Sequence, residues 1–512
     1  MLYFVSLSVF PGITDPFMKQ PLTRARKTSA DLLAYGLLLA LFIVRFFYIG
    51  SMDLAPDEAY YWDWSRHLGF GYFDHPPLAA WFIYLSTRLF GDTLRGVKFM
   101  AVFSSLVAAG GSYYLARRFV SRTSSLFLFV IIANTVVLFG VGSLIATPDV
   151  PMVLFWSLGL VFAYKAALES SRSSWAWLGL TVGLGLLSKY IFALFVFSLL
   201  LFLLFYKGLR RTFPWKGLVL ALALAFGVFL PNLVWNWRHR WVTILFQFHH
   251  GVAGANYTHF NFLGEYLSGQ AGVLSLFPFL VLVWAFVSEW RAIRSDPRKG
   301  FLAFFCLVPF CFFAITSLQK RVEANWAAPA YLSGLILIPI LFEKLQGDGN
   351  KLKRLCIEAS AAVSTAALLL IMIHAQKPFL PLSPNIDPTM QVRGWRQWAR
   401  DVVSVEKNID PAMRLPLCGN RYQETALLAF YAPGHPRTLS LNLDARENDY
   451  TLMQKGLDST AHGAFLVLPT EDRELPPAIN AYFIRSRRVG EVYRKWNGRI
   501  LDSFGIFEVE KR

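Results

Sequence analysis

The chain has 512 residues, 55% of them hydrophobic and only 16% charged, a balance that excludes an ordinary water-soluble globule. Lys and Arg number 50 against 33 Asp and Glu, a formal net charge of +17. That surplus is spread over short connections between apolar runs, which suits anionic lipid headgroups and argues against a nucleic acid partner.

The first twenty residues are mildly apolar and broken by Pro and Gly, with no basic n-region and no cleavage pattern. The first long apolar run is therefore expected to act as an uncleaved insertion signal. Apolar runs follow at 31–49, 97–115, 124–146, 150–168, 175–187, 190–206, 215–233, 271–288, 300–316, 327–342 and 355–373. At 1.5 Å per residue most can cross about 30 Å of hydrocarbon, so about eleven spans are expected, within a range of about nine to thirteen. Only Ser188, Lys189 and Tyr190 separate the runs at 175–187 and 190–206, so this pair is expected to be short or leaning.

Basic clusters occur at Arg24/Arg26/Lys27, Arg117/Arg118/Arg122, Lys165/Arg172, Lys207/Arg210/Arg211/Lys216, Arg291/Arg294/Arg298/Lys299 and Lys344/Lys351/Lys353/Arg354. All fall on one side of an eleven-span chain, and the positive-inside rule makes that side cytoplasmic. The opposite side then carries loops at 50–96, 147–149, 188–190, 231–270 and 317–329, together with the tail. The expected organisation is a transmembrane domain over residues 1–374, with large outer loops 50–96 and 231–270, followed by an outer domain over 375–512. Beyond the Pro-rich connector "QKPFLPLSPNIDPTM", short strand-length and helix-length apolar stretches suit a small α/β domain. Its only cysteine is Cys418, so no disulfide framework is available to it.

The first outer loop contains "APDEAYYWDWSRHLGFGYFDHPPLAAW". Asp57 and Glu58 lie close to the end of the first span, where a carboxylate stays ionised. The neighbouring Tyr60, Tyr61, Trp62 and Trp64 suit either a binding surface or interfacial anchors. Pro76 and Pro77 stiffen the segment that presents Asp74 and His75. A carboxylate that has lost hydration beside aromatic mass has a raised pKa and can take a proton from a hydroxyl nucleophile.

Lys189, at a tight outer hairpin, is either a phosphate partner or a snorkelling lysine. In "PNLVWNWRHRWVTILFQFHHGVAG", Trp237 suits a sugar face or a headgroup boundary, and Arg238 and Arg240 suit a phosphate. His249 and His250 with Asp74 form a candidate set for a divalent metal such as zinc, or magnesium or manganese. Lys320, Arg321 and Asn325 stand at another span entrance, where a phosphate or diphosphate would satisfy several groups at once.

Taken together, "PDEAYYW", "YFDHPPL", "PNLVWNWRHRWVTILFQFHHG" and "VEANWAAPAY" resemble the integral-membrane glycosyltransferases that use polyprenyl-phosphate sugars. That group includes protein O-mannosyltransferases and the bacterial lipid A aminoarabinose transferase. The tail segments "GNRYQETALLAFYAPG" and "LDARENDYTLM" are similar to the outer domain of some bacterial members, so the resemblance covers nearly the whole chain.

It implies a GT-C-type fold, a multi-pass protein of the bacterial cytoplasmic (inner) membrane, and an active site and C-terminal domain on the periplasmic side. It also implies an inverting transfer from a polyprenyl-phosphate sugar to a lipid A, glycan or protein acceptor. By the same resemblance Asp57 matches the acid that acts on the acceptor, and Glu58 its neighbour that orients it or binds sugar. Asp74 matches a second loop acid that contacts a metal in the aminoarabinose transferase. Lys189 matches an outer lysine near the donor phosphate, and the histidine pair a second metal ligand. His75 replaces a lysine, which removes a permanent charge from that position. No Gly-rich phosphate loop is present, in keeping with a lipid-linked rather than a nucleotide donor. A lipid-sugar transporter or flippase and an oligosaccharide ligase or polymerase remain the alternatives.

Overall fold

A computed structural model of the chain describes residues 29–251, 260–383, 386–442, 446–453, 463–470, 472 and 474–511. It opens with α1 (Ser29–Tyr48), followed by two outer-loop helices, α2 (Pro56–Ser65) and α3 (Leu78–Phe90). The bundle continues through α4 (Leu94–Ala116), α5 (Thr123–Thr135), α6 (Val137–Gly142), α7 (Asp149–Leu168), α8 (Ser173–Ser188), α9 (Ala193–Phe205), α10 (Lys207–Thr212), α11 (Trp215–Arg238) and α12 (Val242–Gly251). It closes with α13 (Phe260–Val273), α14 (Leu276–Ser295), α15 (Pro297–Ser317), α16 (Ala328–Gly334), α17 (Leu337–Gly347) and α18 (Lys351–Gln376).

Every apolar run is helical, but not every helix has the length of a full crossing. Among the described residues, seven helices are long and apolar enough to span a bilayer, and an eighth span is made if the pair α16–α17, bent by 40°, counts as one. The run at 124–146 breaks at Val136 into α5 and α6. Helix α9 belongs to the shorter apolar class. Irregular backbone at membrane depth is tolerated where it is buried or lines a cavity, and both breaks line the cavity described below.

Charges at one end of the bundle neutralise each other. Arg117 pairs with Asp31 (3.0 Å), Arg118 with Glu169 (3.1 Å), and Lys299 and Lys344 both with Glu289 (2.6 and 3.0 Å). Glu343 accepts the backbone N–H groups of Ser121 and Arg122 at 3.0 and 3.1 Å. Members of the expected inner basic clusters are thus gathered at one end and tied to carboxylates. Arg24, Arg26 and Lys27 lie outside the described residues.

At the other end the C-terminal residues form a mixed sheet. The helices α19 (Trp395–Ile409), α20 (Tyr422–Tyr431), α21 (Asp449–Met453) and α22 (Pro477–Asn480) accompany the strands β1 (Leu417–Gly419), β2 (Leu439–Ser440), β3 (Gly463–Leu468), β4 (Phe483–Trp496) and β5 (Arg499–Lys511). Strand order is β2-β1-β3-β5-β4, with β1 parallel to β2 and β3, and β5 antiparallel to both neighbours. The β4–β5 hairpin turns on Asn497-Gly498, both at positive φ, as a two-residue loop between twisted strands requires.

This sheet unit does not stand apart from the first outer loop. Tyr60, Trp62, Trp64 and Tyr72 share one hydrophobic core with Trp398, Leu427, Phe430, Phe465 and Phe504. The aromatic run of α2 is therefore core, not a belt of interfacial anchors: Tyr60, Trp62 and Trp64 are all buried. Backbone links strengthen the joint. Leu54 N–H donates to the Tyr431 hydroxyl (2.6 Å), and Trp395 N–H donates to Asp53 (2.9 Å).

Candidate active site

Helix α2 starts with Pro at its first position and acids in its first turn, which suits both the orphan donors and the dipole of a helix N-terminus. The two neighbouring acids nevertheless face opposite surroundings. Glu58 turns inward and accepts Ala55 N–H (2.9 Å), Ala146 N–H (2.7 Å) and the Lys98 ammonium (2.8 Å). Both side chains of this ion pair are 0% exposed. Glu58 is thus fully engaged in fixing α2 against α4 and the 143–148 turn, and it is not free for a substrate.

Asp57 turns outward, into a recess that solvent reaches. One oxygen accepts the Tyr422 hydroxyl at 3.2 Å, and the other accepts no hydrogen bond from a described residue. The protein around it removes hydration and pushes its carboxyl above the usual range, opposed by Tyr422 and Arg446. Its opening to solvent keeps that push modest.

Asp74 is buried nearby and doubly bonded. Tyr60 donates to one oxygen (2.7 Å) and Arg446 to the other (2.8 Å). Burial pushes its carboxyl up to about 6 despite the pull of Arg446 and Tyr60. Tyr60 also accepts the Asp449 backbone N–H (2.6 Å), and Asp449 accepts Phe73 N–H (3.0 Å), so the C-terminal unit clamps the segment that carries Asp74. The other Asp449 oxygen is buried without a partner among the described residues, and burial raises this carboxyl to about 7.

Three side chains of α11 and α12 hold the backbone leading to Asp74. Asn232 donates to the Phe70 carbonyl (2.7 Å), Thr243 to that of Tyr72 (2.6 Å), and Gln247 to that of Asp74 (2.5 Å). A Cβ on Gly71 would lie 2.5 Å from the Trp235 ring, so only glycine lets the chain pass α11 this closely. Gln247 also approaches His75 Nδ1 at 3.3 Å, and His75 faces the Tyr61 ring.

A third acid completes the group. Asp149, in the first turn of α7, pairs with Lys189 (2.8 Å) and accepts Asn325 Nδ2 (2.9 Å). Lys189 is held in extended backbone between α8 and α9, above Phe192; a Cβ on Gly185 would meet that ring at 2.3 Å. Buried Tyr61 lies within the electrostatic reach of Asp57, Asp74 and Asp149, so the three carboxylates belong to one region.

Residues expected at the site thus divide. Asp57, Asp74, His75, Lys189 and Asn325 are brought to this region. Trp237, Arg238 and Arg240 are exposed at the end of α11, and neither arginine forms an ion pair among the described residues, because the helix carries them outward while Asn232 and Thr243 face the site. Lys320 donates to the His249 carbonyl (3.0 Å), and Arg321 pairs with exposed Glu265 (3.3 Å).

Asp74 and His249 are not gathered with a third metal-capable side chain among the described residues. The side chain of His250 lies outside the described residues, and both oxygens of Asp74 are engaged. The sequence reading does not single out Asp149, Tyr422 or Arg446. "TPDVP" at the head of an apolar run was the available signal for Asp149.

Residues 74–235 match the family described as dolichyl-phosphate-mannose-protein mannosyltransferase. Lipid A galacturonosyltransferase RgtD of Rhizobium johnstonii is 28% identical over 351 residues, covering 67% of this chain and 70% of that one. Undecaprenyl phosphate-alpha-4-amino-4-deoxy-L-arabinose arabinosyl transferase 1 of Sodalis glossinidius is 27% identical over 404 residues, covering 72% and 68%. The chain thus resembles membrane glycosyltransferases that use polyprenyl-phosphate sugars. Its GT-C fold is shared with the crystal structure of ArnT from Cupriavidus metallidurans bound to undecaprenyl phosphate, at a TM-score of 0.66 and 16% identity over 94% of this chain and 98% of that chain.

Proposed function

We propose that this glycosyltransferase moves a sugar from an undecaprenyl-phosphate-like carrier to lipid A at the periplasmic face of a bacterial inner membrane, with inversion at the anomeric carbon. The named relatives act on these two substrate classes, and the basic end of the bundle suits the cytoplasmic side.

In the reaction an acceptor hydroxyl oxygen attacks the anomeric carbon as the bond from that carbon to the carrier phosphate breaks. The hydroxyl proton passes to Asp57, and the carrier leaves as a phosphate anion that needs a cation rather than a proton. One observation carries the assignment of Asp57. Among Asp57, Glu58, Asp74 and Asp149, it alone has a solvent-reachable oxygen without a hydrogen-bond donor among the described residues.

Asp74 and Arg446 hold Tyr60 and Tyr422 beside it. Lys189 is the nearest candidate for the carrier phosphate, with Asp149 holding it until the phosphate arrives. Glu58 is a positioning residue. The test is transfer from an undecaprenyl-phosphate-linked sugar to lipid A by the purified chain, followed by mass spectrometry. A product of increased mass and released undecaprenyl phosphate support the reading; donor hydrolysis or transport without transfer overturns it.

A further inference from the structure

Five Lys and Arg side chains are buried among the described residues: Arg45, Lys98, Lys189, Arg393 and Arg494. Four have a carboxylate: Lys98 has Glu58, Lys189 has Asp149, Arg393 has Asp387 and Arg494 has Asp502. Arg45 alone has none. Only 7% exposed, it donates to the Asn134 side-chain oxygen (3.1 Å), the Asn134 carbonyl (3.0 Å) and Ser105 (3.4 Å), all neutral. A buried charge satisfied only by dipoles keeps an unmet electrostatic demand, and at membrane depth such a residue commonly marks a ligand path.

Arg45 also lines a partly open cavity of about 310 Å³ among α1, α4, α5, α6, α7, α13 and α16. Its lining includes Asp149 and Asn325 of the active site, and much of the rest is small or apolar, including Ala101, Ala108 and Ala109. The cavity therefore joins the reacting region to the lone cation. A ligand fitting it has an apolar portion and one anionic group.

We propose that Arg45 is the counter-ion for the phosphoryl group of a membrane lipid substrate that occupies this cavity beside Asp149 and Asn325. The inference rests on the lipid-phosphate reading above and goes beyond it, because it adds a second phosphate-binding point separate from Lys189. The phosphoryl group belongs either to the polyprenyl carrier or to a phosphorylated acceptor lipid. The chief competing role is structural: Arg45 satisfies a carbonyl in the last turn of α5, as arginines at helix C-termini do.

The experiment compares wild type, Arg45→Lys and Arg45→Gln of the full chain in nanodiscs. Binding of undecaprenyl phosphate and of neutral undecaprenol is measured directly, and KM is measured for lipid A with and without its phosphates. Arg45→Gln keeps hydrogen-bonding capacity but not charge. It is expected to weaken undecaprenyl phosphate about tenfold, the scale of one charged hydrogen bond, while undecaprenol is unchanged and Arg45→Lys stays near wild type.

An unchanged carrier affinity with about tenfold higher KM for phosphorylated acceptor only would assign the site to the acceptor. Equal behaviour of both variants toward all four lipids, with only a lower melting temperature, overturns the proposal. If Arg45→Gln does not fold, Ala109→Leu fills the cavity without touching the charge. It must then reduce binding of the same phosphorylated lipid, and unaltered binding overturns the proposal. Carrier binding is read without turnover, so a failure of sugar transfer counts against the function and not against this site.

Discussion

The two ends of the helical bundle treat charge differently. At the basic end, Glu289 takes two lysines and Arg117 and Arg118 each take an acid, and these pairs join helices. At the other end Asp74 and Asp149 are saturated by tyrosine, arginine, lysine and asparagine donors, and Asp57 keeps one oxygen without a donor among the described residues. The same residue types thus serve as fasteners where opposite charges pair across helices, and become chemically available where a solvent-reachable oxygen is left without a donor.

The largest expected break in this comparison falls on the boundary between the two roles. Lys98→Met leaves Glu58 buried without its cation and should cost about 3–5 kcal/mol in stability, read by thermal or denaturant unfolding. Adding Glu58→Gln should recover part of that loss, and additive losses would show that the pair is not coupled. Arg446→Ala removes the cation that holds Asp74 down, so the Asp74 carboxyl should rise above about 6. The acid limb of the kcat/KM profile should move to higher pH, with activity at neutral pH down about tenfold.

Lys189→Ala should raise KM for the lipid-linked donor about tenfold while leaving the acceptor KM unchanged, as expected for loss of one charge-assisted contact. Asp449 sharpens the contrast through pH. Its folded carboxyl, raised to about 7, binds a proton that the unfolded chain has released by about pH 4, so it favours the folded state at low pH and loses that contribution as pH rises toward 7. Melting temperature should fall between pH 5 and pH 8, and Asp449→Asn should flatten that fall. The smallest effect is expected at the fastener end. Lys344→Ala, at a half-exposed pair, should change stability by about 0–1 kcal/mol.

The helical framework was legible because bilayer-crossing segments must be long and apolar whatever they pack against. Their interruptions were not. Nothing in the composition of "TVVLFG" marks the break at Val136, and the bend between α16 and α17 lies inside a continuous apolar run. Asp57 and Asp74 stood out because carboxylates are conspicuous between apolar spans, and Pro76-Pro77 announces a stiff presentation.

Tyr422 and Arg446 were hidden because they reach Asp57 and Asp74 across 365 and 372 residues of sequence, a separation no local pattern reports. Arg238 and Arg240 misled for a related reason. Their chemistry suits phosphate, but side-chain direction at the end of α11 gives the site Asn232 instead. The aromatic run of α2 was ambiguous between surface and core, and only the partner supplied by the C-terminal sheet decides it.

The most direct measurement is sugar transfer by Asp57→Asn, purified and shown by thermal melting to be folded, using an undecaprenyl-phosphate-linked donor. If the free oxygen of Asp57 receives the acceptor proton, kcat should fall by about 100-fold or more, with donor binding retained. Wild-type turnover by this variant would contradict that role.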